Sequence, residues 1–187
     1  MHKAIVYIWE SNKKDQALGH ASMSLSNGTH TSWWPNREIG KWELLKSFFV
    51  DVDIPANPRQ TLADDISGEE DNLPTTYVLN LSNKQLDNIQ TWWIGFKATN
   101  SNWSLKKMNC STVVSLALDI AFPGMSRSPF KVWTPSLIEM LMWAMNASPT
   151  MRKLLVAKVQ FPMDLLRQGE IDKLFEHLKN QLEPNLR

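Results

Sequence analysis

The chain opens on short runs of alternating apolar and polar residues and passes, after its midpoint, to apolar positions spaced three and four apart. This change of period predicts strands first and helices later. Ile5, Val6, Tyr7, Ile8 and Trp9 predict a well-buried strand over 3–10. After a polar connection over 11–18, Ala21, Met23 and Leu25 alternate with His20, Ser22, Ser24 and Ser26, which places the polar set on one face of a second strand. Asn27-Gly28 is a favoured pair for a tight hairpin turn, and 29–34 reads as a third strand stopped by Pro35. An antiparallel meander is the expected start.

Trp42, Leu44, Leu45, Phe48 and Phe49 form a short apolar segment, after which the pattern breaks. Residues 51–74 hold Asp51, Asp53, Asp64, Asp65, Glu69, Glu70 and Asp71 against a single basic residue, Arg59, together with Pro55, Pro58, Gly68 and Pro74. Such a stretch reads as a long acidic surface loop, either simply solvated or acting as a lid that helps to select substrate. Thr75–Leu81 then reads as a strand. Ser82 caps a helix from about 83 to 99, with Leu86, Ile89, Trp93 and Phe96 on one face. Asn109 is a good N-cap residue for a helix that begins at Cys110 and buries Val113, Val114, Ala117, Leu118 and Ala121. Residues 122–131 form a loop, Thr134 and Pro135 start a further helix, and 170–182 is amphipathic at helical spacing.

Composition narrows the possibilities. At 187 residues, 43% of them hydrophobic, the chain suits one domain with a sizeable core. Twenty basic and nineteen acidic residues leave a net charge of +1, which gives no argument for nucleic acid or an anionic membrane. One cysteine rules out an internal disulfide and a cysteine-rich zinc site, and four scattered histidines show no metal-ligand spacing, so no cofactor is expected. The N-terminal apolar run is too short for an export signal, and 137–147, the most apolar later stretch, falls short of the roughly 20 residues of a membrane span. Nine tryptophans are heavy usage; most belong in a core, while Trp33, Trp34 and Trp133 are candidates to line a cleft and bind substrate.

The lone cysteine is the chemical centre of the sequence. A sulfur in the first turn of a helix feels unpaired N–H groups and the positive end of the helix dipole, and both favour thiolate. A lone cysteine on an apolar helix is also a common core residue, so catalysis needs a base. His20, on a strand beside Gly19, is the candidate. A histidine can take the thiol proton, the thiolate can attack a carbonyl, and a third polar group should orient the imidazole.

Four pieces, Gly19-His20-Ala21-Ser22, Ser32-Trp33-Trp34-Pro35, Asn109-Cys110-Ser111-Thr112-Val113-Val114 and Val132-Trp133-Thr134-Pro135, together resemble the circularly permuted NlpC-type branch of the papain-like cysteine hydrolases. In that branch the histidine strand precedes the cysteine helix, as 20 precedes 110 here. The matching pieces span roughly 3–147. The Asn-Cys step also looks like the lecithin–retinol acyltransferase group. The resemblance implies an α+β, papain-like fold, an antiparallel sheet packed against helices that include the Cys helix. The chain as a whole, 1–187, then reads as a single hydrolase domain that includes the acidic loop at 51–74, with a helical C-terminal extension at 148–187 that lies outside the resemblance. Cys110 would be the nucleophile and His20 the general base and acid. The acyltransferase relatives carry a second histidine twelve residues after the first; that place is Ser32 here, with His30 two residues earlier on the same face, and either one is a candidate to orient His20.

The resemblance further implies a bacterial cysteine peptidase or amidase, with peptidoglycan stem peptides as the leading substrate. A compact toxin-like enzyme made in the cytoplasm without a Sec signal suits delivery into a rival's periplasm, as by type VI secretion, with an immunity protein or a secretion carrier as partner. Two rivals keep the same residues: an acyltransferase, thioesterase or protein-directed peptidase acting as a virulence factor, and a binding module whose cysteine is an inert relic.

Overall fold

The computed structural model describes residues 1–10, 19–40, 43, 46–47, 50–124 and 132–146. The connection at 11–18, most of the apolar segment at 42–49, the greater part of the 122–131 loop and the amphipathic helix expected at 170–182 lie outside the described residues. Contacts divide the chain into two units, 1–142 and 143–187. Only the final turn of one helix is described in the second.

The first unit is mixed α+β with antiparallel sheets. β1 (His2–Trp9) is the second-to-last strand of a four-stranded sheet, paired with β2 (His20–Leu25) on one side and β6 (Thr75–Leu81) on the other, in the order β3-β2-β1-β6. β3 (His30–Thr31) pairs with β2 through Met23 and Ser24. The hairpin between β2 and β3 forms at Asn27-Gly28, but with a three-residue loop. The Gly28 N–H donates to the Leu25 carbonyl at 3.0 Å, Gly28 takes φ +88°, and the Leu25 N–H donates to the Thr29 carbonyl at 2.8 Å. A left-handed residue after a type I turn is the usual solution for this loop length, and glycine accepts it without a Cβ clash.

The third strand departs from expectation. Only His30–Thr31 stays with the first sheet; the chain then crosses to a second, three-stranded sheet in which β4 (Trp34–Pro35) pairs with β5 (Ile54–Asn57) and β5 with β7 (Asn102–Trp103). Pro35 thus sits within a strand, opposite Ala56. The crossing delivers Trp33 into a cluster with Ile54, Trp93, Phe96, Trp103, Leu105 and Val113.

The acidic stretch is the larger correction. Residues 51–74 are not one long surface loop: they contain β5 and a short helix, α1 (Leu62–Gly68). Thr61 and Asp64 form a reciprocal capping box at its start, in which the Thr61 side chain accepts from the Asp64 N–H and the Asp64 carboxylate accepts from the Thr61 N–H. α2 (Asn83–Thr99) has the same device at Ser82 and Gln85, and buries Leu86, Ile89, Trp93 and Phe96 as its spacing predicts. It packs against α3 (Cys110–Ala121), which in turn covers β2. α4 (Pro135–Asn146) starts at Pro135, with the Thr134 hydroxyl accepting from the Leu137 N–H at 3.3 Å. Among the described residues no helix is long and apolar enough to cross a membrane.

Candidate active site

Cys110 occupies the first position of α3. Its N-cap, Asn109, is 4% exposed and uses both ends of its amide: Oδ1 accepts from the Thr112 N–H at 2.8 Å, while Nδ2 donates to the carbonyls of Leu105 and Trp133, each at 2.8 Å. A cap held by these three hydrogen bonds fixes where the helix starts, and so where the sulfur stands. Trp133 takes part in this through its backbone; it is not among the residues that line the cleft described below.

His20 opens β2, opposite Trp9 in the β1 register. Gly19 precedes it with φ +70°, a conformation that turns the chain into the strand and favours glycine. The polar face predicted for β2 does exist, but it is not turned to water: His20 is 2% exposed and Ser22 fully buried. The alternation arises because this face lines a buried polar site while Ala21, Met23 and Leu25 enter the core.

That site converges on Asp65. Its carboxylate is completely buried and accepts from the Ser32 hydroxyl at 2.6 Å and the Trp34 indole N–H at 2.8 Å, both on Oδ1, and from His30 Nε2 at 2.8 Å on Oδ2. His20 Nε2 lies 3.2 Å from the Ser32 hydroxyl and 3.6 Å from Asp65 Oδ1. With Nε2 turned to Ser32 and Asp65, Nδ1 is left for the sulfur. His30 Nδ1 meets the Ser24 hydroxyl at 2.8 Å, so the second histidine is fixed at both nitrogens. The choice between Ser32 and His30 as the group behind His20 resolves into a shared anion: Ser32 touches His20 directly, His30 does not, and both bind Asp65.

The electrostatics follow from this packing. Burial alone would lower the pKa of His20, but the Cys110 sulfur and the Asp65 carboxylate outweigh it and raise the imidazole to about 9. Burial pushes the Cys110 thiol up, yet the charge and hydrogen bond of His20, with the Ala21 backbone N–H, bring it below its ordinary value. Burial would likewise raise Asp65; the hydrogen bonds from His20 and His30 instead hold its carboxyl well below the usual carboxylate range. Each of these directions favours a thiolate beside an imidazolium backed by a carboxylate. Such an arrangement makes a nucleophile and an acid at once.

Cys110 and His20 open into a cleft of about 1020 Å³, lined also by Trp9, Trp34, Arg37, Arg59 and Glu69. Trp34 lies with its ring 4.3 Å from that of His20. Trp33 borders the cleft as well, but it is 1% exposed and has its ring against Trp93 and Phe96, so most of its side chain serves the core. Trp33 ends the crossing between the two sheets and Trp34 begins β4, so one indole packs into the core and the other reaches the site. Among the described residues no group of three or more histidine, cysteine or acidic side chains is arranged to hold a metal ion.

Asp65 is the site residue that reading the sequence misses, since it is one of seven acids in a stretch that looks solvated. The signal was the pattern Thr61-Leu62-Ala63-Asp64, a capping box that announces a helix and thereby gives the following acid a fixed direction. No protein-family model matches the chain, and no curated protein or solved structure matches it either.

Proposed function

We propose that this protein is a cysteine hydrolase of the permuted NlpC type that cuts an amide bond, with peptidoglycan stem peptides as its substrate class. The observation that carries this reading is the thiol of Cys110 set beside a buried imidazole whose far side is held by Asp65. In the first step the Cys110 thiolate attacks the scissile carbonyl carbon, and the Cys110 and Ser111 N–H groups, in the first turn of α3 where helical acceptors are lacking, are the donors available to the oxyanion. His20 then gives its proton to the departing amine as the C–N bond breaks, leaving a thioester. Water, deprotonated by His20, attacks that thioester and returns the thiolate. Asp65 and Ser32 keep the imidazole in one orientation throughout and favour its protonated form.

The cleft favours hydrolysis of a peptide over transfer of a fatty acyl chain, because Arg59, Glu10, Glu38, Glu69 and Glu70 all line it. A hydrocarbon chain would leave those groups without water or partner. Cutting stem peptides would make the protein an antibacterial effector acting in the periplasm of the cell that receives it.

Two measurements test the reading. Purified protein should release new amine termini from peptidoglycan and Cys110→Ala should not; identical digests from both would remove the wall substrate. Activity should climb with pH as Cys110 ionises, below the free-cysteine value of about 8.5, and decline as His20 loses its proton near 9. A thiol that reacts with iodoacetamide only after unfolding would instead support a binding module.

A further inference from the structure

The arginines of the cleft differ in their surroundings. Arg37 is already neutralised: its guanidinium makes a two-pronged pair with Glu43, at 2.7 and 2.5 Å. Arg59, the one basic residue in the acidic stretch, would be expected to find a carboxylate among so many. Among the described residues it has none within ion-pair distance. Glu69, the acid on the same cleft wall whose carboxyl burial pushes upward, senses Arg59 without pairing with it.

Arg59 nevertheless has neighbours. Its guanidinium carbon stands 3.9 Å from the centre of the Trp34 ring, and Nη1 donates to the Asp64 backbone carbonyl. The side chain crosses Gly68 so closely that a Cβ at that position would run into the guanidinium. One hydrogen bond uses one of five donors, so most of the fork remains for something in the cleft. Trp34 carries the His20 imidazole and the Arg59 guanidinium on a single indole. A guanidinium resting on the indole that also carries the base, with most of its donors unused, is suited to receive an anion.

We propose that Arg59 determines specificity by binding a carboxylate on the substrate, carried by the residue adjoining the scissile carbonyl. The inference rests on the hydrolase reading above and adds the chemical class of group that the cleft selects. A planar guanidinium matches a carboxylate through two parallel hydrogen bonds, which a neutral amide of the same size cannot reproduce.

Iodoacetate and iodoacetamide test this without a known substrate. Both present the same carbon to the only sulfhydryl of the chain; the S–C bond forms, the C–I bond breaks and iodide leaves. They differ in a carboxylate against an amide. The native protein should favour iodoacetate relative to iodoacetamide by roughly ten-fold over Arg59→Gln, with Arg59→Lys between them and the preference shrinking with added salt. The iodoacetamide rate should be the same in all three, which shows that the thiol and its base are intact. An unchanged ratio in Arg59→Gln, with a His20-dependent iodoacetamide rate, removes the role of Arg59 and leaves the hydrolase reading standing. Equal loss of both rates assigns Arg59 to structure and overturns the proposal. A native thiol inert to both reagents overturns the hydrolase reading and this inference with it.

Discussion

Asp64 and Asp65 stand side by side on α1, yet Asp64 is exposed and closes a capping box while Asp65 is completely buried among donors from three other residues. Both are held below the ordinary carboxylate value, for different reasons. Asp64 owes its shift chiefly to the hydrogen bond from the Thr61 hydroxyl, in water. Asp65 must overcome burial, and does so through the hydrogen bonds of His20 and His30 and the charge of His20. Trp33 and Trp34 repeat the lesson where the chain crosses between sheets: adjacent indoles, one in the core and one donating to Asp65. Neighbours in sequence are sorted by the direction in which each Cβ leaves the backbone, and the surroundings then decide what each side chain does.

The contrast can be broken most forcefully at Asp65. Asp65→Asn removes a buried charge whose donors then face an amide, which should cost about 3–5 kcal/mol in a urea melt and lower the iodoacetamide reactivity of Cys110 near pH 7, because His20 loses one of the two anions, with the Cys110 sulfur, that keep it protonated. The same network gives stability a pH dependence of known sign. His20, raised to about 9, contributes stability that is fully present below its unfolded value of about 6.5 and is lost as pH rises through 9. Asp65, lowered, contributes stability that is present above about 3.9 and is lost as pH falls through its folded value. Urea midpoints measured across pH should therefore flatten at both ends in Asp65→Asn.

Substituting the tryptophans separates core from site. Trp33→Ala should destabilise by about 3–5 kcal/mol, the usual cost of an emptied aromatic site, and leave the pH profile of alkylation where it was. Trp34→Phe keeps a ring against His20 but loses the indole N–H to Asp65, for which about 1.5–3 kcal/mol is the range of a hydrogen bond to a charged group; it should shift that profile. The smallest effect belongs to Asp64→Ala, which loosens the α1 cap at the surface. Its thiol reactivity should match that of the native protein, and a change there would mean that the cap sets the position of Asp65.

The thiol half of the candidate site was legible from local pattern. Asn109 before Cys110, and apolar positions at helical steps after it, are sufficient to begin a helix at the sulfur, because capping and amphipathic burial act within a few residues. His20 at the head of an alternating strand was equally local, as was the face of α2. Asp65 was not, since its burial requires β3, β4 and α1 to arrive together from segments separated by more than thirty residues. A run of acids has the same composition whether water or donors surround it.

The sequence by itself determined where the helices at 83, 110 and 135 start, the faces that the first two bury, and the pairing of His20 with Cys110 as candidate base and thiol. The tertiary structure alone decided that 51–74 supplies a strand and a helix, that Trp33 and Trp34 part company, and that Asp65 is the anion behind His20. The division has one physical cause. Caps and periodicity are properties of neighbouring residues, whereas the charge state of a buried carboxylate is set by donors that only the completed fold brings within hydrogen-bond reach.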